Sequence, residues 1–328
     1  MKKTSKPLLS RVMIAIGTAL VACTFLVGYR TLNATERGGL QSEVPYGVTS
    51  PTVPERVEFA GQQIELLRND LRERMDRELL SFTYMHSNTL LIIKRANRLF
   101  PLIEPILREN NLPDDLKYLA VIESNLQYSA RSPAGAAGIW QFMPKTGRDY
   151  GLEVGENIDE RYHTEKATRA ACRYLREAYD KFGDWLCVAA SYNGGQQRIS
   201  SARQKQLVDK ATDLWLAEET SRYLFRLLAA KTVMSHPSRY GFLLKSEQLY
   251  PPIPCTRVSV TTGIDNLAAF AKEHGIFYAQ LKEANPWLRD TFLQNRSGRT
   301  YVLSIPTREG IYYHPSKIVP YNKEWVID

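Results

Sequence analysis

Apolar residues first crowd together from Val12 to Tyr29, after a basic start. A stretch of 18 residues is borderline for crossing a bilayer. From 35 to 55 the chain is polar and broken by Gly38-Gly39, Pro45, Pro51 and Pro54, which predicts a flexible linker. Helical spacing follows between Val57 and Asn111. Ile64, Leu67, Leu71 and Met75 share one face, and Leu90 to Pro105 carries a second apolar region. Residues 56–85 are expected to form a helical brace. Pro113 then suits a first helical position, with Asp114 and Asp115 at the positive end of a helix. Leu116, Tyr118, Leu119, Ala120, Val121 and Ile122 leave this helix almost no polar side, so it should be buried. Ser129 to Gly138 is rich in Ser, Pro and Gly and predicts a loop.

Helical period returns from Thr164 to Phe182, where Ala167, Ala170, Ala171, Tyr174, Leu175 and Ala178 share a face and Gly183 is a stop signal. Trp185 to Tyr192 is a short apolar helix ending at Asn193-Gly194-Gly195, and Ala217 to Met234 is the next. Tyr250-Pro251-Pro252-Ile253-Pro254 marks a domain boundary. Beyond it the pattern changes. Arg257 to Val260 alternates like a strand, Leu267 to His274 and Tyr278 to Ala284 read as short helices, and Thr300 to Ile305 as a closing strand. Residues 307–328 are aromatic and polar and predict no element.

Composition narrows the class. The chain has 328 residues, 44% hydrophobic and 24% charged, room for one good-sized domain and a smaller one. The formal charge of +8 is concentrated at the start. Lys2, Lys3, Lys6, Arg11 and Arg30 have no acid among them, leaving 38 basic against 35 acidic residues beyond. That mild remainder suits another anionic polymer at least as well as nucleic acid. The opening 1–34 reads as a targeting segment. Leu20-Val21-Ala22-Cys23 resembles a lipoprotein cleavage box, yet Thr24 to Gly28 stays apolar. A lipidated Cys23, an uncleaved anchor and cleavage near Ala34 all remain open, and all three export the protein. Cys172 and Cys187 lie on neighbouring expected helices, as a disulfide or as two buried thiols. Five scattered histidines offer no ligand spacing, so neither metal nor cofactor is implied.

Glu123 ends the apolar helix. A carboxyl there loses water and meets the negative end of the helix dipole, and both favour its protonated form, as a general acid needs. Alone, Glu123 reads rather as a solvated helix-end residue. Its neighbours change that. Glu123-Ser124, Ser132, then Gly135, Gly138, Gln141, Met143, Pro144 and Thr146 are followed in order by Tyr192-Asn193-Gly194 and by Glu219-Thr220-Ser221-Arg222-Tyr223. These four blocks resemble the lytic transglycosylases of the goose-type lysozyme superfamily. Ser191 and Gly194 are small departures, since that family more often has Ala at both.

The resemblance implies a mainly α, lysozyme-like catalytic domain over 86–250, acting on the glycan strands of peptidoglycan without a cofactor. It implies Glu123 as the catalytic acid, with Ser132, Gln141, Met143, Tyr192, Asn193 and Glu219 on the substrate and Tyr223 against the core. The cut would fall between N-acetylmuramic acid and N-acetylglucosamine and leave 1,6-anhydro ends. A hydrolytic muramidase using Glu219, Asp149 or Asp159 to activate water is the alternative within enzymes, and a non-catalytic wall-binding protein the alternative outside them. The strand–helix–helix–strand order after 251, with Asn285-Pro286 and Tyr301 to Pro306, is similar to a LysM module. That small α+β module over 251–306 either binds murein or merely packs on the enzyme. Membrane attachment on the periplasmic side of a bacterial envelope completes the expectation.

Overall fold

The computed structural model describes residues 49–296 and 298–328. The expected targeting segment, Cys23 and the linker up to residue 48 lie outside the described residues. No helix among the described residues is long and apolar enough to cross a membrane.

The brace does not begin as a helix. Strands β1 (Arg56–Phe59) and β2 (Gln62–Glu65) pair antiparallel, with Val57 opposite Ile64. Between them Ala60 (φ 51°) and Gly61 (φ 82°) both take positive φ, the requirement of a two-residue turn that matches strand twist. Val57, Phe59 and Ile64 alternate inward, while Leu67 is 60% exposed. The helical spacing from Ile64 to Met75 was therefore partly accidental: Leu71 and Met75 belong to α1 (Asn69–Tyr84), Ile64 to the hairpin.

Helix α2 (His86–Glu109) runs through Pro101 and Pro105 and contributes buried Ile92, Ile93, Phe100, Ile103 and Leu107 to the core. Pro113 does not open the next helix. It precedes a 3-10 turn, Asp114–Leu116, and α3 (Lys117–Ser124) follows. Asp115 instead takes the Ala60 N–H at 2.7 Å and Lys231 at 2.6 Å, tying hairpin to helix. Short α4 (Pro144–Asp149) leads to α5 (Thr164–Phe182), closed by left-handed Gly183. The carboxylate of Asp184 accepts the Cys187 N–H at 2.6 Å and caps α6 (Trp185–Gly194). Then come α7 (Gln196–Gln206) and α8 (Glu218–Ser235). All of these helices but α4 pack into one helical core, α7 through Ile199, as expected of a mainly α domain. Cys172 and Cys187 are free thiols in it, and burial pushes them up to about 11 and about 12.

The C-terminal module has β3 (Cys255–Val260), α9 (Leu267–Glu273), α10 (Tyr278–Ala284) and β4 (Tyr301–Pro306), with β3 and β4 antiparallel. Its core is not self-contained. Leu267, Leu281, Trp287, Leu288 and Leu303 close over Ala137, Ile158 and Tyr162 of the helical domain. The last segment is also more than a tail. After α11 (Arg308–Ile311) the chain returns to the helical core, where Trp325 is 2% exposed and donates its indole N–H to Met234 O at 2.6 Å. Tyr321 bonds Glu104, and its N–H meets Asn97 Oδ1 at 2.7 Å.

Candidate active site

The end of α3 is held by an unusual backbone. Asn125 (φ 53°) and Leu126 (φ 56°) are both left-handed. Asn tolerates this, whereas Leu has a Cβ that meets the carbonyl, at about 1–2 kcal/mol. Complete burial of Leu126 and a 3.1 Å hydrogen bond from Arg95 Nη1 to Asn125 O offset that cost. The sharp reversal leaves Glu123 in the last turn, opposite α8. There the Tyr223 hydroxyl donates to Glu123 Oε1 at 2.7 Å. The Glu123 carboxyl is raised to about 7: burial pushes it up most, the Tyr223 bond offsets part of that, nearby Glu219 adds to the rise and Arg226 lowers it. Desolvation also holds the Tyr192 and Tyr223 phenols far above their ordinary values, so both remain donors.

The loop from Ala130 to Met143 forms the facing wall. Ala137 bridges to both Arg131 and Phe142, folding the loop into a small β-like flap. Ser132 Oγ accepts the Ala136 N–H at 3.0 Å. Gln141 is left-handed (φ 48°), and its amide donates to Gly138 O at 2.7 Å and Ala130 O at 3.3 Å. Both side chains shape the loop. At Gly138 (φ 76°) an added Cβ would lie 1.8 Å from Arg161 O, so only glycine fits. Ser124 Oγ reaches across to Ile139 O at 3.0 Å, and Tyr192 donates to Trp140 O at 2.7 Å. Met143 is 42% exposed at the end of the loop.

Asn193 is held by Thr220, whose hydroxyl donates to Asn193 Oδ1 at 2.8 Å. Beside it an open groove of about 670 Å³ is lined by Gly194, Gly195, Gln197, Arg198, Ser201 and Lys205. Glu219 is exposed, within electrostatic reach of Glu123. The structure thus gathers Glu123, Tyr192, Asn193 and Glu219 around α3, α6 and α8, while Ser132 and Gln141 act within the loop. The other two acids weighed for water activation are engaged elsewhere. Asp159 forms a buried two-pronged pair with Arg161, and Asp149 pairs with Lys145 at 2.7 Å on the surface. Among the described residues, no group of three or more His, Cys, Asp or Glu is arranged to hold a metal ion.

Two residues escaped sequence reasoning. Tyr223 packs in the core as expected, and what was missed is that its hydroxyl is also the direct partner of Glu123. Its four-residue spacing from Glu219 puts both on one helix face, which was a usable signal. Arg161 bonds Gly135 O at 2.8 Å and Phe142 O at 3.0 Å and so braces the loop, with no local signature.

Known proteins resemble this chain over much of its length. Residues 101–214 match the family model described as Transglycosylase SLT domain. Over that span the chain is similar to SLT transglycosylase domains. Behind it, residues 256–309 match the Soluble lytic transglycosylase C-terminal LysM-like domain. Glu123, the loop and α6 all fall inside the SLT match, whereas Glu219 and Tyr223 lie beyond its end. The chain is 32% identical over 253 residues to membrane-bound lytic murein transglycosylase D of Escherichia coli strain K12. That alignment covers 75% of this chain and 54% of the relative, so the chain spans about half the length of that protein. It is 34% identical over 125 residues to peptidoglycan transglycosylase gp16 of Escherichia phage T7, covering 37% of this chain and 9% of that one. An inactive mutant of the lytic transglycosylase Slt from Pseudomonas aeruginosa overlays 51% of this chain and 32% of its own at 20% identity, with a TM-score of 0.35.

Proposed function

We propose that this protein is a peptidoglycan lytic transglycosylase whose general acid and base are the same residue, Glu123. The observation that carries the reading is a desolvated carboxyl held at about 7 and bonded by one phenol. Tyr223 directs its proton at Oε1, which leaves Oε2 to carry the acidic proton. That proton goes to the bridging oxygen of the MurNAc–GlcNAc β-1,4 bond as the bond from C1 to that oxygen breaks. Glu123, now a carboxylate, takes the proton of the muramoyl 6-hydroxyl while that oxygen bonds C1 and closes the 1,6-anhydro ring. Both protons are accounted for, and no cofactor is needed. Ordinary glycosidases divide this work between two carboxylates. Engagement of Asp159 by Arg161 and of Asp149 by Lys145 leaves Glu219 as the one nearby acid among those weighed, and favours the intramolecular route.

In the same reading Met143, Tyr192, Asn193 and Glu219 contact the sugars, and Ser132 and Gln141 hold the loop to which the N-acetyl group binds. The catalytic unit spans 86–250 and the LysM-like module 251–306. The basic start and the apolar Val12–Tyr29 stretch support a protein tethered to a bacterial envelope membrane and facing the periplasm, by a lipidated Cys23 or by an uncleaved anchor. The relative's printed name, membrane-bound, agrees.

Mass analysis of sacculus digests tests the reaction. The expected muropeptides are one water lighter than those of a muramidase and lack reducing muramic ends. Reducing ends would move the assignment to hydrolysis with Glu219 activating water. A folded Glu123→Gln protein should lose at least about 10²–10⁴-fold in turnover, and near-normal turnover would remove Glu123 from the role.

A further inference from the structure

The LysM-like module meets the helical domain on the same short segment that braces the active-site loop. Ile158 bridges to Leu288, Asp159 N–H bonds Trp287 O at 2.9 Å, and Arg289 N–H bonds Asn157 O at 2.9 Å. The Asn157 side chain extends this strip in both directions, donating to Phe292 O at 2.9 Å and accepting the Gln294 N–H at 2.8 Å. Aromatic contacts flank it. Trp287 stacks on His163 with centroids 5.8 Å apart, and the Arg289 guanidinium lies 4.2 Å over the Tyr162 ring.

From this strip the connection runs inward through one buried pair. Asp159, whose backbone the module holds, grips Arg161 with both oxygens, at 2.9 Å to Nε and 2.7 Å to Nη2. The remaining nitrogen of the fork, Nη1, donates to Gly135 O and Phe142 O, the two sides of the loop. A planar guanidinium clamped on one edge by a carboxylate has little freedom left on the other. Arg161 O in turn stands against Gly138, where nothing larger than hydrogen fits. The loop also enters the module's own core, through Ala137 at 0% exposure.

We infer that the LysM-like module is a positioning element of the active site: through Asn157, Asp159 and Arg161 it holds the 130–143 loop in register with Glu123. Asp159 and Arg161 are positioning residues. A module serving only as a tethered wall-binding unit would need no such strip, and contacts between separable modules are small and polar by default.

Asn157→Ala tests this in the full chain. It removes both side-chain bonds to the module at a half-buried site and alters no residue of the loop or of either core. Hydrogen exchange is read at the amides of Ala137, Gly138 and Gln141, which bond Phe142 O, Ala130 O and Gly138 O. Losing two hydrogen bonds that secure the strip should speed exchange there about 5–30-fold, with α7 unchanged as an internal reference. Asn157→Asp keeps the acceptor for Gln294 and forfeits the donation to Phe292, so it should fall between wild type and Ala. Arg289→Ala, acting from the module's side, should loosen the same amides. The kinetic arm rests on the proposed activity. On a soluble glycan too short to reach beyond the cleft, kcat should fall several-fold in Asn157→Ala, because misplacing the loop degrades the reacting geometry. Unchanged exchange at all three amides, with only sacculus affinity reduced, would overturn the inference. Absence of turnover in the wild type would refute the proposed activity and leave the exchange result to stand by itself.

Discussion

Glu123→Gln should make the protein more stable above neutral pH. In the folded state the carboxyl is raised from the ordinary 4.5 to about 7, chiefly by burial. The folded protein therefore binds this proton more tightly than the unfolded chain does. Its stabilising effect is fully present below pH 4.5 and is lost as pH rises through about 7. At 1.36 kcal/mol per pH unit the full difference amounts to about 3 kcal/mol. Gln has the same shape, keeps an oxygen to accept the Tyr223 hydroxyl, and never ionises. Wild type and variant should consequently differ little from this source at pH 4, and the variant should gain about 3 kcal/mol by pH 8.5. Urea unfolding at four or five pH values, followed by both fluorescence and circular dichroism to check cooperativity, measures the difference directly. Parallel pH curves for the two proteins would refute the claim that Glu123 is desolvated, and with it the reason it can serve as an acid at neutral pH.

Tyr223→Phe removes the one contact that lowers the Glu123 carboxyl most. The basic limb of its kcat/KM profile should therefore move to higher pH, and the rate should fall about tenfold, whereas a tyrosine serving only as packing would leave the limb in place. Gly138→Ala should cost at least about 3 kcal/mol in thermal or urea denaturation, since the new Cβ collides with backbone and cannot be relieved by a rotamer change. Trp325→Ala should lower stability by about 3–5 kcal/mol, and an unchanged melting temperature would mean that residues 307–328 do not belong to the core.

Helices whose reasons are local were legible from spacing. Thr164–Phe182 and Tyr278–Ala284 start and stop where period, caps and glycine indicated, because each turn answers to residues three or four positions away. The placing of Glu123 in the last turn of an apolar helix was legible for the same reason, and its role as the acid remains the proposal made above. The β1–β2 hairpin was not, since Ala60 occupies a positive-φ turn position where Gly or Asn is the usual signal, and Leu71 and Met75 continued a plausible helical register from Ile64.

Other features were decided only when distant segments met. Residues 307–328 have no period because their order comes from outside: α2 supplies Phe100 and Asn97, α8 supplies Met234 O, and the aromatic rings settle between them. The bond from Tyr223 to Glu123 spans 100 residues. The sequence by itself determined most of the longer helices, the order of the two modules and which acid is the candidate, because period, punctuation and motif order are properties of neighbouring residues. Tertiary structure alone decided that the acid has a phenol partner, that Asp159 is bound to Arg161, and that the C-terminal module reaches the active-site loop. Each of those depends on how much water two remote surfaces exclude when they close on one another, and no local pattern encodes that.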